Sequence, residues 1–329
     1  MREDKDPIKE RERLRREAAR NMHLLRDVAL DAFESRKAEL KGDGVNGRWS
    51  SPLELHVLPK LGNVPVAEID QNDIRDVMAP IWHTKAETAR KAISRLGICL
   101  KHGAALGLDV DLQATAKAAA LLGRRRHKAE NIPALHWRDV PEFYASLSEG
   151  TPAHLGLRLL ILTAVRSGPL RFMRLDQIDG DDWTVPGEGI KGRRDATPDF
   201  RVPLSTEALA ILDQVKRLAR NGVMFPSVRK GVMSDATMSR LMERRGMKAR
   251  PHGFRSSLRD WIAETTDTPY DVAETCMGHK VGGSVERAYR RTDFLDQRRV
   301  VMERWANHVT GKNGQVLQML KGKGVLDAL

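Results

Sequence analysis

Residues 274–291 read ETCMGHKVGGSVERAYRR. The chain has three tyrosines in 329 residues, and Tyr289 lies here, ten positions after His279 and among arginines. Two readings are open. Tyr289 is a surface residue on a basic helix, or it is a nucleophile aimed at a phosphate. Gly278 is placed to end the preceding helix and to put His279 in or beside a turn.

Upstream, PHGFRSSLRDWIAE at 251–264 sets His252 and Arg255 three apart, so on a helix they share a face. Leu258, Trp261 and Ile262 form a separate apolar stripe. The Arg can clamp a phosphate while the His donates or shuttles a proton. Alone, the pair is better read as a helix-terminal His and a surface Arg. Further upstream, LTAVRSG at 162–168 ends a strongly apolar pattern in one arginine. An unpaired buried guanidinium is costly. Arg166 is therefore either salt-bridged in the core or aimed into a cleft at an anion.

The rest of the second half is read around these stretches. Helices are predicted over Trp137 to Leu147, 153–165 and 169–176. The period then shortens in DGDDWTVP and DFRVPL, which predicts a small sheet or hairpin at about 178–204. Its loop, GEGIKGRRDATP, is glycine-rich and basic and holds Lys191, Arg193 and Arg194. Helices resume over 205–220, 234–245, 252–265 and 268–277, then roughly 283–290 and 293–309.

The first half is helical. MHLLRDVALDAFESRKAEL at 22–40 puts Leu25, Val28, Ala29, Ala32 and Phe33 on one face. Short helices follow over 50–58 and from Asp70 to Met78, the latter halted by Pro80. Residues 84–106 form the clearest helix, with Thr84 as its cap and Ala89, Ile93, Leu96, Leu100 and Ala104 inward. Its other bases, Lys85, Arg90, Lys91, Arg95 and Lys101, form either a solvated face or one laid against phosphates. GRRRHKAENIP at 123–133 reads as an exposed linker. Arg124, Arg125, Arg126 and Lys128 there suit a connector crossing a DNA backbone.

Composition narrows the function. Lys and Arg total 56 against 44 Asp and Glu, a net charge of +12, which favours a polyanionic partner, nucleic acid first. Two cysteines, Cys99 and Cys276, make no disulfide framework and fit a reducing cytoplasm. No apolar run spans a bilayer, and MREDKDPIKERERLRREAAR lacks the apolar region of a secretory signal. No Walker-type GxxxxGK[ST] is present. Cys276 and His279 at one turn lack the partners a zinc site needs. Ser167 has no G-x-S-x-G elbow. Tyr144 is far in sequence from the His and Arg motifs, and Tyr270 follows Pro269 at a helix start, so both are poorer nucleophiles than Tyr289.

Taken together, LTAVRSGPLRFMRLDQI, GIKGRRDATPDFRVPLS, PHGFRSSLRDWIAE and CMGHKVGGSVERAYRRTDFLDQRRVVMERWANHV resemble the tyrosine recombinase (phage integrase) family. The likeness is to its branch carried by P4-like phages and genomic islands. It is dense from about 155 to 309 and looser in LHVLPKLGNVPVAEIDQNDI and PIWHTKAETARKAISRL, which look like the core-binding domain of that branch. The implied fold is mainly α with a small antiparallel β-sheet, in two domains that clamp duplex DNA. The expected divisions are a charged segment over 1–19, a SAM-like core-binding domain over 20–122, a linker over 123–132, a catalytic domain over 133–310 and a tail over 311–329. The tail either docks on a neighbouring protomer or frays. The branch opens with an arm-type DNA-binding domain ending near a pair like Asp6-Pro7, where this chain begins.

The resemblance also implies roles. Arg166 and Arg255 clamp the scissile phosphate. Lys191, with Lys230 as the weaker alternative, protonates the leaving 5′ oxygen. His252 assists as acid or base, and His279 hydrogen-bonds the phosphate. Tyr289 attacks to give a 3′-phosphotyrosine, and strand exchange passes through a Holliday junction. Arg193, Arg194, Arg290 and Arg291 join Lys85, Arg90, Lys91, Arg95, Arg124, Arg125, Arg126 and Lys128 as expected DNA contacts. The implied partners are double-stranded attachment sites, three further protomers on DNA and a directionality factor, with a monomer expected off DNA. No cofactor or metal is implied, and the location is the bacterial cytoplasm, at the nucleoid.

The chemistry needs such a set. A tyrosine hydroxyl titrates near pH 10, so it must lose its proton as it attacks. Without a metal, the charge on the equatorial oxygens needs several fixed cationic donors in a dry pocket. Three alternatives remain at this point: a type IB topoisomerase, a non-catalytic DNA-binding regulator and a metal nuclease. Gly168-Pro169 and the long stretch from Lys191 to Val202 depart from the branch, which has an acid at position 169.

Overall fold

The computed structural model describes residues 8, 23–44, 48–126, 131–190, 192, 197–228, 231–283, 286, 289 and 292–312. The chain divides into two compact units, Met1–Glu130 and Asn131–Leu329. Among the described residues, no helix is long and apolar enough to cross a membrane.

The first unit is helical: α1 (Leu25–Lys37), α2 (Ser51–His56), α3 (Leu58–Leu61), α4 (Gln71–Trp82), α5 (Ala86–Ala105) and α6 (Ala114–Leu122). The stripe read in the first of these is buried: Leu25, Val28, Ala29 and Ala32 enter the core, and Phe33 packs at its edge against Trp49. Asp70 starts α4 through a capping box, accepting from the amides of Asn72 and Asp73 while Asp73 accepts from Asp70.

Two local expectations fail here. Pro80 does not halt α4, because Ile81 and Trp82 beyond it are buried, and that burial outweighs the backbone bond a proline removes. Thr84 does not cap α5. Its hydroxyl donates back to the Pro80 carbonyl at 2.9 Å. The alanine-rich α6 has no clear signature in the sequence, because alanine carries little periodic contrast, yet Ala114 and Ala118 are buried.

The start of the expected linker is fastened to this unit. Trp82 Nε1 donates to the Gly123 carbonyl at 2.9 Å, the Arg125 guanidinium lies 4.7 Å from the Trp82 ring centroid, and the Arg126 amide donates to His83 Nδ1. One indole thus supplies both a donor and a π face.

The second unit holds α7 (Val140–Ser146), α8 (Pro152–Thr163), α9 (Ser167–Arg171), β1 (Ile178–Asp179), β2 (Asp182–Val185), β3 (Phe200–Pro203), α10 (Thr206–Lys216), α11 (Ala236–Arg244), α12 (Phe254–Thr265), α13 (Tyr270–Cys276) and α14 (Leu295–Val309). The strands form one antiparallel sheet in the order β1-β2-β3, with Trp183 opposite Val202 and Val185 opposite Phe200. Helix α8 is apolar almost all round, and Leu155, Leu157, Leu159, Leu160, Ile161 and Leu162 are buried against α10, α11, α12 and α14. The last-turn carbonyls of α8 lack intrahelical donors. The fully buried Trp305 of α14 answers one, donating from Nε1 to Ile161 at 2.9 Å.

Trp305→Phe keeps most of the ring volume and removes that donor. It is expected to lower the stability of this unit by about 1–3 kcal/mol, the cost of leaving a buried acceptor unpaired. Urea unfolding measures it. A change within about 0.5 kcal/mol, ordinary for surface substitutions, would show that the Ile161 carbonyl does not depend on Trp305.

Candidate active site

The site is built around Arg255, the second residue of α12. A short 3-10 turn, Pro251–Gly253, precedes the helix, so His252 lies on that turn and not on the α-helix that the spacing predicts. The turn is packed against the start of the unit: the Arg250 amide donates to the Pro133 carbonyl, and a Cβ at Gly253 would meet that same oxygen at 2.4 Å. Only glycine fits there.

Arg255 is 6% exposed. Its Nη1 donates to the carbonyl of Ala164 and its Nη2 to that of Met277. These two residues cap the C-termini of α8 and α13, Ala164 with a left-handed φ of 50°. The guanidinium thus sits where two helices present unpaired carbonyls and the negative ends of their dipoles. Pro169 stands where the resembled branch has an acid, and main-chain carbonyls do the holding. Burial first, then the charge of Arg166, lowers Arg255 to about 10, with Glu274 acting in the opposite sense. It remains a cation at neutral pH.

His279 is placed by the end of α13. The Gly278 amide donates to Thr275 at 2.9 Å and the His279 amide to Glu274 at 3.1 Å, with Gly278 at φ 61°. This is a Schellman turn, which glycine adopts at little cost. The ring is held from both edges: Nδ1 lies 2.8 Å from Glu274 Oε2, and Nε2 lies 3.1 Å from Arg255 Nη2. Glu274 Oε1 also accepts from Arg259 Nε at 2.8 Å. Burial alone would raise the Glu274 carboxyl, but the bonds from Arg259 and His279 outweigh it and hold the group below its ordinary value.

Arg166, Arg255 and His279 line one pocket, whose walls include Val185, Ile190, Pro198 and Phe200. Lys280 and Asp199 lie on the same wall set, and Asp199 accepts from the Gly187 amide. Arg166 is half-buried, and among the described residues no side chain or carbonyl takes its guanidinium. Of its two readings, the structure therefore supports the arginine aimed into a cleft. His252 is not among the residues lining the pocket and keeps solvent contact. Partial burial, then the charges of Arg255, Arg166 and His279, push its imidazole below the ordinary histidine value.

Other expected residues are not gathered here. Tyr289 is helical, 83% exposed and not among the residues lining the pocket. Lys191, Arg193, Arg194, Lys128, Lys230, Arg290 and Arg291 lie outside the described residues, as do most of 1–19 and 313–329. Lys85, just before α5, and Lys91 on it are exposed, whereas Arg90 pairs with Glu87 at 3.0 Å. Arg95 packs 5.7 Å from the Trp49 centroid and donates to the Arg48 carbonyl, so it braces its own unit. Arg124 and Arg126 are exposed, and Arg125 is partly covered by its stacking on Trp82.

The other tyrosines have structural roles. Tyr144 is buried, which raises its hydroxyl well above the ordinary tyrosine value, and it donates to Glu207. Tyr270 is exposed, with Arg259 5.6 Å from its ring centroid. Burial lifts the Cys276 thiol to about 12, so it stays protonated and is a poor metal ligand. The sequence reading missed Glu274 and Arg259. The signal was present: Glu274 stands five residues before His279, the span of the Schellman bond.

Comparison with known proteins agrees with this geometry. Residues 25–118 match the phage integrase central domain, and residues 135–295 match the phage integrase family. Prophage integrase IntA of Escherichia coli (strain K12) is 30% identical over 314 residues, covering 92% of this chain and 73% of that protein. The integrase of Enterobacteria phage P4 is 28% identical over 308 residues, covering 84% and 69%. In fold, the chain is similar to a lambda integrase tetramer bound to a Holliday junction, with TM-score 0.58 and 19% identity over 80% of this chain and 78% of that one. It is also similar to the Tn1549 transposon integrase in complex with a circular intermediate DNA, with TM-score 0.60 and 13% identity over 86% and 99%. A buried arginine cradle at the meeting of two helix ends, in a chain related along most of its length to these integrases, identifies it: the chain belongs to the phage integrase family and is a site-specific tyrosine recombinase of the P4-like branch.

Proposed function

We propose that this recombinase moves a mobile element between double-stranded attachment sites, with the pocket between the ends of α8 and α13 as its phosphate cradle. The observation that carries the reading is the convergence of Arg166, Arg255 and His279 on one pocket, with Arg166 unpartnered among the described residues. A scissile phosphate supplies the missing anion. Arg255 and Arg166 hold its non-bridging oxygens, and His279 donates a third hydrogen bond. Tyr289 attacks phosphorus, the P–O5′ bond breaks, and the 5′ oxygen takes a proton from Lys191 on the hairpin loop. His252, close enough to Arg255, Arg166 and His279 to feel their charges, accepts the phenolic proton. A 5′ hydroxyl from the partner duplex then attacks the phosphotyrosine and releases Tyr289.

Tyr289 is exposed in the chain without DNA, so bound duplex has to bring its hydroxyl to the cradle. Two rounds of exchange through a Holliday junction require four protomers. The lambda integrase tetramer on such a junction, which shares this fold, supports that assembly. We take the free protein to be monomeric and the direction of exchange to be set by an accessory factor. The basic excess and the exposed Lys85, Lys91, Arg124 and Arg126 support contacts to the duplex backbone. The domain roles follow: residues 20–122 bind the core site, 123–132 connect, and 133–310 catalyse.

Tyr289→Phe is expected to bind a nicked attachment-site duplex and to give no SDS-resistant complex, where the wild type does, with or without EDTA. Covalent capture by the phenylalanine variant would eliminate Tyr289 as the nucleophile. Arg255→Lys cannot span both carbonyls and a phosphate, and its capture rate should fall about 100-fold or more, the scale of losing a fixed transition-state donor. A rate within a few-fold of wild type would remove Arg255 from the chemistry.

The pH dependence follows from His252. Its imidazole is depressed from 6.5, so it is neutral at neutral pH and able to accept a proton. Lowering the pH through the depressed value protonates the ring and removes the base. The acid limb of the capture rate should therefore lie below pH 6.5 and be missing from His252→Asn. A limb centred above neutrality, or one retained in that variant, would contradict the assignment.

A further inference from the structure

We infer that Glu274 is a positioning residue for the recombination chemistry, fixing which nitrogen of His279 faces the phosphate cradle, and that Arg259 holds Glu274 in place for that task. The inference rests on the reading of His279 as a phosphate ligand.

Glu274 meets His279 twice. Its main-chain carbonyl accepts the His279 amide at 3.1 Å, and its Oε2 lies 2.8 Å from Nδ1. The first bond sets where the ring starts, and the second sets how it is turned. The carboxylate is 17% exposed, and Arg259 Nε donates to its other oxygen at 2.8 Å. Arg259 stands one helical turn beyond Arg255 on α12. The Arg259–Glu274 pair therefore ties the helix carrying Arg255 to the helix whose end carries His279.

The tautomer follows from the partners. An ionised carboxylate only accepts, so Nδ1 must carry a proton. Arg255 only donates, so Nε2, 3.1 Å from its Nη2, presents a lone pair in the free protein. Arg255 and His279 line the same pocket, so Nε2, beside Arg255, is the nitrogen this inference assigns to the phosphate. When a phosphate oxygen arrives there, Nε2 donates to it only after gaining a proton from solvent, and Glu274 is the counter-charge already in contact with the ring.

Glu274→Gln tests this because the two neighbours dictate how the amide sits. Arg259 is a permanent donor, so the glutamine oxygen must turn to it and the NH2 must face Nδ1. The ring then accepts at Nδ1 and carries its proton on Nε2, pointing a donor at the Arg255 guanidinium. Two measurements follow. The 15N ring resonances of His279, identified by their loss in His279→Asn, should report Nδ1–H in the wild type and Nε2–H in Glu274→Gln. Glutamine also removes the negative charge beside the ring and turns Nε2–H against the Arg255 guanidinium, 3.1 Å away in the wild type, so covalent capture on the nicked duplex should slow roughly 10- to 100-fold, the range carried by orienting partners of metal-bound histidines, with DNA affinity unchanged within about twofold. Glu274→Asp, which restores the acceptor, should keep the Nδ1–H signal and recover part of the rate.

An unchanged ring signal in Glu274→Gln overturns the inference, as does a wild-type capture rate in that variant. So does a rate loss matched by an equal loss of DNA affinity, which would mark Glu274 as merely structural. The ring measurement needs no DNA. Failure of the wild type to become attached to DNA would therefore count against the recombination mechanism and leave the tautomer assignment to be judged by itself.

Discussion

A buried guanidinium must be answered by acceptors, and in this chain two helix ends answer it. Arg255 is almost wholly removed from water, and leaving such a charge unpaired costs about 3–5 kcal/mol. Its hydrogen bonds go to the capping carbonyls of α8 and α13. A helix C-terminus carries both orphan carbonyls and a negative partial charge. The cation therefore requires that α8, α12 and α13 meet at one point, and their meeting leaves the pocket that Arg166 and His279 share. Fold and site are consequences of the same constraint.

The elements behind that point are tied by polar contacts as well as by packing. Arg259 and Glu274 join α12 to α13. Arg298, fully buried on α14, donates to the Asp293 carbonyl and carboxylate and to the Arg201 carbonyl, and lies 5.1 Å from the Phe200 ring centroid. Phe200 in turn lines the pocket and touches the Gly278 turn. Asp293 also accepts two bonds from Arg201. Four residues after Tyr289, the chain is thus anchored to β3, the strand that closes the hairpin loop. Tyr289, the proposed nucleophile, is exposed although the chain four residues beyond it is held in place.

Much of this was legible in the residues. Periodicity exposed α1 and α5, because apolar side chains at three- and four-residue steps have few other uses, and an unbroken apolar run exposed α8. The loss of that period at DGDDWTVP exposed the sheet. The order Arg166, His252, Arg255, His279, Tyr289 carried the family, since no structural need puts those residues in that sequence together. Local rules failed where tertiary contacts outweighed them. Helix α4 runs through Pro80 because Ile81 and Trp82 have a core to enter. The connector is pinned at its start because Trp82 offers Gly123 a donor and Arg125 a π face.

The sequence by itself determined the chemistry available: a tyrosine among cations, no nucleotide motif, and a glycine placed to turn the chain before His279. Only the tertiary structure decided how those cations are used. Hydrogen-bond partners far apart in the chain, such as Ala164 and Met277 for Arg255, have no local signature, because a main-chain carbonyl looks the same at every residue. The structure also separated Arg95, spent on Trp49, from Arg166, which stays open to an anion. Charge is a property of the residue, but its availability depends on which neighbours the fold brings within reach.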